Sequence, residues 1–434
     1  MKKSTLFATG MAAVLLAGGA TSMAADWTQY RGPNHDGSSS EKLAVKKWPA
    51  KGPKVLWKQA TPNGFSSFAV GGGNAYTVVG PGNGGGRREV AVALDAKTGK
   101  QKWRVELGSG DYEHDGGNSG ARDNKGGDGP RSTPTYDSGK VYVLSARLLL
   151  ICVDADTGKK IWNRDIMKQN AGVQIKWKNA ASPLIDGDLL FVAGGGPGQA
   201  FMALNKNNGK VVWKGQNDLM THSTPTVADI HGVRQVIFFS QTGLASLEAK
   251  SGKLLWRYGF QFKVSTAISP VVAGDIVYCS AGYGVGAGAA KISKNGSRFS
   301  AKEIYRQRGD KLLANHWSTP VLHEGHLYGM FQFKKYGSGP IKCVDVKTGD
   351  IKWEQEGFGP GNVVLVDGHL LALSDTGELF LIKATPAGYT EVAKAKVLSG
   401  KCWSTPVISG GRVYARSTTE AVCVDISASA VASR

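Results

Sequence analysis

Cysteine is scarce in this chain: 5 residues in 434, no two of them adjacent and none in a C-x-x-C-H run. That removes c-type haem attachment and any disulfide between neighbouring cysteines. Acid is scarce as well, with 34 Asp and Glu against 53 Lys and Arg, a formal charge of +19. Beyond residue 24 no stretch stays apolar over the roughly 20 residues that a membrane-spanning helix needs. There is no G-x-S-x-G elbow, no H-E-x-x-H pair and no glycine-rich phosphate loop between a strand and a helix. Serine-nucleophile hydrolysis, zinc proteolysis and nucleoside triphosphate chemistry therefore have no support in the sequence.

What is present begins with an export signal. Lys2 and Lys3, an apolar run from Leu6 to Ala17 and the small-x-small site Ser22-Met23-Ala24 predict a secretory peptide over residues 1–24. No cysteine stands at the cleavage site to carry a lipid. The expectation is a periplasmic or secreted, monomeric protein without a transmembrane segment. Its basic residues are scattered through turns and form no long block. This suits a solvated surface or attraction to an anionic partner such as an acidic glycan; export sets nucleic acid aside.

The dominant feature is one phrase written over and over. AVALDAKTGKQKW (91–103) returns as ICVDADTGKKIW (151–162), MALNKNNGKVVW (202–213), SLEAKSGKLLW (246–256) and KCVDVKTGDIKW (342–353). A fixed self-similarity is the mark of a repeat fold. Each unit opens with a small residue and proline, alternates apolar residues, turns at glycine and alternates again, as in RSTPTYDSGKVYVLSA (131–146). Read with its tryptophan phrase, a unit predicts four antiparallel strands, the blade of a propeller. Proline suits only the first residue of a strand or an edge, and the tryptophan on the outermost strand is placed to fill the wedge between sheets.

Six proline heads (Pro134, Pro183, Pro225, Pro270, Pro320 and Pro406) and two heads without proline, at Ser66-Ser67 and Asn362-Val363, give eight units of about 46 residues. The prediction is an all-β, eight-bladed propeller over 54–427. The last unit lacks a tryptophan strand and KVLWKQA (54–60) has no blade of its own, so the N-terminal strand should complete blade 8 and close the ring. Residues 25–53 read as an irregular leader, 104–131 as a long insertion and 428–434 as a disordered tail. Cys152, Cys343 and Cys423 occupy one repeat position, too far apart for the roughly 7 Å limit of a disulfide. All five cysteines read as small buried hydrophobes.

The A-x-D-x-x-T-G-x-x-x-W phrase, GPRSTP and the leader WTQYRGPNHDG resemble the PQQ-like propeller repeats over residues 26–427. That family includes quinone-dependent alcohol dehydrogenases, among them polyvinyl-alcohol-type enzymes, and a propeller lipoprotein of the outer-membrane barrel-assembly machinery. For the enzymes the resemblance implies pyrroloquinoline quinone held over the axis with calcium, a carboxylate base, a stacked tryptophan and a disulfide between adjacent cysteines. This chain has no adjacent cysteines.

The residues just before the inner strands should gather around the axis. Here they include Arg131, Asn179, His222, His316, Trp317, Asn362 and Trp403, a basic, amide and aromatic rim without a carboxylate. In the insertion, Asp111, Glu113 and Asp115 imitate the start of a calcium loop, but its twelfth position is Arg122. The expected function is a non-catalytic ligand-binding or protein-interaction scaffold of the cell envelope, with no catalytic residues assigned. The alternatives are a quinone-dependent alcohol dehydrogenase and a binder of acidic polysaccharide.

Overall fold

A computed structural model describes residues 26–43, 47–82, 86–110, 129–262, 264–332 and 335–427. The export signal, the tail and the acidic stretch with Asp111, Glu113 and Asp115 lie outside the described residues. The chain forms eight four-stranded antiparallel blades in a ring. Blade 2 shows how the sequence builds one. Its inner strand starts one residue after Pro134 (Thr135–Asp137), and the turn to Lys140–Leu144 passes through Ser138 at φ 48° and Gly139 at φ 77°. Left-handed residues at both turn positions match the twist of a two-residue hairpin. The second and third strands (Lys140–Leu144 and Leu149–Asp154) are buried on both faces, while the outer strand (Lys160–Asp165) is largely open to solvent. A blade is thus a slab whose faces are covered by its neighbours.

The repeated phrase turns out to span two blades. The Asp154 carboxylate accepts the Thr157 N–H at 2.9 Å and the Thr157 hydroxyl at 2.7 Å, which fixes the turn between strands three and four. Gly158 closes that turn at φ 71°, and a Cβ there would lie 2.9 Å from the Trp103 ring of blade 1. Trp103 Nε1 then donates to Ala155 O at 2.9 Å. The glycine is required twice, for its positive φ and for the ring that lies on it. The same docking recurs with Trp57 on Gly99, Trp162 on Gly209 and Trp213 on Gly252. Blade 5 substitutes Tyr305, which packs on Gly349. Blade 7 has no outer-strand tryptophan; Trp48 of the leader is buried in the core cluster containing its Leu379 and Leu381.

Lys54–Ala60 pairs antiparallel with Glu420–Asp425, so blade 8 is made from both ends of the chain. Arg416 seals this seam. It is fully buried, and its guanidinium donates to Val78 O (3.0 Å) and Thr77 Oγ1 (3.2 Å) of blade 1 and to Pro62 O (2.8 Å). All five cysteines are buried and unpaired.

The leader is irregular in secondary structure but fixed in place. Val70 N donates to Trp27 O and Tyr136 N to Thr28 O, while the Gln29 side chain pairs with both backbone groups of Ile185. Arg31 reaches Thr319 O and Pro320 O, and Ser38–Ser39 adds a short parallel strand to Asn362–Val366. Glu41 caps Gly410 N and Gly411 N, each at 2.7 Å. Residues 27–41 therefore bond to blades 1, 2, 3, 6, 7 and 8 and cross the hairpin side of the axis.

Candidate functional site: the axial cup

On the opposite face, the links between blades surround a cup of about 900 Å³, mouth included. Its base is a belt of hydroxyls from the residues at the blade heads. Thr405 N donates to Ser67 Oγ (2.8 Å), Ser67 N to Thr133 Oγ1 (3.1 Å), Thr133 N to Ser182 Oγ (2.9 Å) and Ser182 N to Thr224 Oγ1 (2.9 Å). Ser269 N and Thr319 Oγ1 repeat the bond at 3.0 Å. At every one of these heads but Ser67 a proline follows and contributes no N–H, so the hydroxyl-bearing residue supplies the donor and the acceptor that link blades. Ser67, Thr133, Ser182, Thr224 and Thr405 all line the cup, and Tyr30 of the leader joins them.

Aromatic rings form the wall. Trp317 and Trp403 lie 4.9 Å apart between ring centroids, Phe65 stacks on Trp403 at 5.0 Å and Tyr336 stacks on its ring at 5.8 Å. The wall continues through His316, 5.3 Å from Trp317, to Tyr283 at 5.0 Å and on to Trp177, parallel to Tyr283 within 13°. Lys401 stands 4.6 Å over Trp403 and Lys176 5.2 Å over Trp177.

Trp177 is held in an expensive conformation. Trp177 and Lys178 both have left-handed backbone, at φ 64° and φ 58°, which costs about 1–3 kcal/mol per residue. Arg131 donates to Trp177 O at 3.1 Å and His222 Nε2 to Lys176 O at 3.0 Å. A carbonyl can only accept, so Nε2 carries the proton and Nδ1 accepts from the Ser265 hydroxyl. Burial, followed by the nearby Arg131 charge, pushes the His222 imidazole down to about 3, keeping it neutral in this role. Behind Arg131, Glu89 accepts the Ala146 N–H at 2.8 Å; burial pushes its carboxyl up to about 7 against the pull of Arg131 and Arg147.

Of the residues singled out from sequence, Arg131, His222, His316, Trp317 and Trp403 line the cup. Asn179 and Asn362 do not. Asn179 is buried, donating to Ala181 O at 3.0 Å, and Asn362 holds Trp403 O at 2.7 Å, so both brace the links. Trp177, Tyr283, Phe65, Tyr30 and Tyr336 went unseen. Tyr283 sits in AGYGVGAGAAKI, where the sequence suggests a loose hairpin. The structure has a hairpin there, with a tight turn at residues 282–285 between Ile276–Ala281 and the ten-residue strand Gly286–Asn295. Trp177 falls two residues before Asn179, and its pairing with a basic residue on either side is the signal that could have found it.

A family model described as outer membrane protein assembly factor BamB matches residues 87–354 and 261–386. Among curated proteins, the chain is 26% identical over 240 residues to the outer membrane protein assembly factor BamB of Shewanella oneidensis, covering 52% of this chain and 57% of that one. It is 24% identical over 296 residues to the Yersinia pestis protein of the same name, covering 64% and 69%. The chain thus spans less than two thirds of the Shewanella protein. Among solved structures, it superposes on quinohemoprotein alcohol dehydrogenase from Comamonas testosteroni with a TM-score of 0.65 at 14% identity, over 94% of this chain and 82% of that one. BamB from Moraxella catarrhalis gives 0.56 at 14%, over 86% and 97%. At such identities the two structures share the fold alone. The match to the family model extends over most of the blades, and the chain belongs to the family described as outer membrane protein assembly factor BamB.

Proposed function

We propose that this chain is a non-catalytic binding propeller, exported to the periplasm, that offers its axial cup to a small ligand or to a segment of an envelope protein. The observation that carries this reading is the composition of the cup. Among the described residues its lining holds eight aromatic or imidazole side chains, one arginine and five serine or threonine hydroxyls, but no carboxylate or amide side chain. A calcium ion needs six to eight oxygen ligands, typically including carboxylates, and alcohol oxidation needs a base. Neither requirement is met by these residues, so a calcium-held quinone does not fit the cup, and no step is routed through one.

The family relationship supports the scaffold role, since the relatives are named as assembly factors. Mixing the purified protein with pyrroloquinoline quinone and calcium should give no calcium-dependent heat and no dye-linked alcohol oxidation. Turnover would overturn the reading and restore the dehydrogenase alternative. An acidic polysaccharide is the second reading, favoured by Lys176 and Lys401 above the tryptophans. It predicts salt-sensitive retention on an immobilised acidic glycan.

A further inference from the structure

Far from the cup, the outer strands of blade 5 depart from the pattern of the other blades. The third strand, Gly286–Asn295, runs for 10 residues, against 5 to 8 elsewhere. It pairs to its end with the fourth strand, Arg298–Gln307, so that Asn295 stands opposite Arg298. Gly296, at φ 59°, opens the two-residue turn between them. A bare β-ribbon thus stands where blades 1, 2 and 6 have the Asp-x-x-Thr-Gly turn. The preceding tryptophan follows suit: Trp256 donates to Gln235 Oε1 of its own blade at 2.8 Å instead of to the next blade. Residues 291–308 hold six basic side chains and one acid, Glu303.

Register sorts the ribbon into two faces. Ile292, Lys294, Phe299 and Ala301 share the inner one, where Ile292 and Phe299 are buried. His231 of blade 4 holds this face: its Nε2 donates to Ile292 O at 2.8 Å, and Lys294 Nζ donates to His231 O at 3.2 Å. The outer face carries Lys291, Ser293, Asn295, Arg298, Ser300 and Lys302, all exposed. It offers three cations, two hydroxyls and an amide, with no apolar side chain and no acid. Of the nearby carboxylates, Asp275 reaches Lys291 at 3.6 Å, and Glu303 is taken by the Tyr258 hydroxyl and Arg306. Lys291 and Lys302 stand directly opposite one another. Like charges so placed destabilise a sheet, and a local rule broken in this way marks a place shaped by function.

We infer that the outer face of the blade 5 ribbon is a docking surface for anionic phospholipid headgroups, by which the rim of the disc rests on a membrane. Phosphate oxygens accept from ammonium, guanidinium and hydroxyl groups alike. A charged lipid surface attracts each nearby Lys or Arg without a pocket, and an open row of cations supplies what it needs. An acidic glycan is matched less well, because Phe299, the one aromatic ring among residues 291–302, is turned inward and covered by Lys294 at 5.5 Å. Contact through the outer strands leaves the cup and the leader side of the disc free, so the inference stands apart from the reading of the cup.

Co-sedimentation of the purified protein with vesicles tests this, using equal parts of phosphatidylglycerol and phosphatidylcholine against phosphatidylcholine alone. The protein should bind the mixed vesicles, less as salt rises, and leave the neutral ones. Replacing the three cations together (Lys291→Gln, Arg298→Gln, Lys302→Gln) should weaken partitioning about a hundredfold, at about fivefold per cation. Lys302→Gln alone, which also relieves the like-charge pair, should keep the fold intact and weaken it about fivefold. Removing the same charge from the exposed turns of blades 1 and 2 (Lys97→Gln, Lys100→Gln, Lys159→Gln) should change partitioning only slightly. Equal losses in the two triple variants would show that net charge alone acts and would overturn the docking surface. So would vesicle binding that survives the ribbon changes, or a wild-type protein that ignores the mixed vesicles. Ribbon-dependent retention on immobilised polygalacturonate without vesicle binding would assign the face to an acidic polymer instead.

Discussion

The two faces of the disc are built from the same eight units and look quite different. On the hairpin side, the turns after strand three of blades 1, 2, 3, 4 and 6 are nearly interchangeable: an Asp, Asn or Glu, a glycine at positive φ, and the ring of the preceding blade lying on it. Around the cup, no two links are alike. One carries Trp177 in left-handed backbone, one His222, one His316 and Trp317, one Trp403. A residue that faces the neighbouring blade meets the same surface in every copy and can stay the same. A residue that faces the axis meets seven different partners, and only differences among the copies can make a shaped site there. Stability is carried by the repetition, and the shape of the cup by the exceptions.

The sharpest way to break that division is to remove one tryptophan from each side. Trp213→Ala takes away a buried ring, its bond to Ala249 O and the cover of Gly252, and should cost about 3–5 kcal/mol. Trp317→Ala should cost far less in thermal or denaturant unfolding while abolishing ligand binding. Equal losses would show that the cup is part of the structural frame. Next in size is Thr133→Val. It strands the buried Ser67 N–H and should cost about 1–3 kcal/mol, which denaturant titration would read.

Two buried groups beside the cup give a pH test with opposite signs. The folded His222 sits near 3, below its ordinary value of 6.5, so between those values only the unfolded chain is protonated and stability falls as pH falls. The folded Glu89 sits near 7, above its ordinary 4.5, so between those values only the folded chain is protonated and stability falls as pH rises. Each contributes at most about 1.4 kcal/mol per pH unit. Melting curves from pH 3 to 8 should show His222→Gln flattening the acid side and Glu89→Gln flattening the slope between 4.5 and 7. The smallest effect belongs to Asp154→Ala, on an exposed turn, at about 1 kcal/mol or less by thermal unfolding.

The ring of blades was legible because its signals are local and repeated. Pro134, the Asp137-Ser138-Gly139-Lys140 turn and Trp162 each announce a strand boundary within a few residues. The closing strand at 54–60 was legible by subtraction, since blade 8 lacked one. The cup was legible only in part. Looking just ahead of each inner strand finds Arg131 and Trp403 but passes over Tyr283, which arrives from a turn between the second and third strands of blade 5. Apart from Ser67, the belt was written in plain view as the residue before a proline, yet its meaning depends on a neighbour some 45 residues away. The leader was legible as an irregular segment, but its docking was not, because the blade residues that hold it are distant in sequence.

That distance bears on the order of events during synthesis. Gln29 bonds to a residue 156 positions on, Arg31 to one 288 positions on, and Glu41 to one 369 positions on. Contacts of such separation are slow to form. Trp27, Thr28 and Gln29 find their partners in blades 1 to 3, but Arg31 and Glu41 must wait until almost the whole disc exists to receive them. Hydrogen exchange that reports protection of the Gly410 and Gly411 amides, which donate to Glu41, would then time the completion of the ring, and until that moment the axis stays open from below.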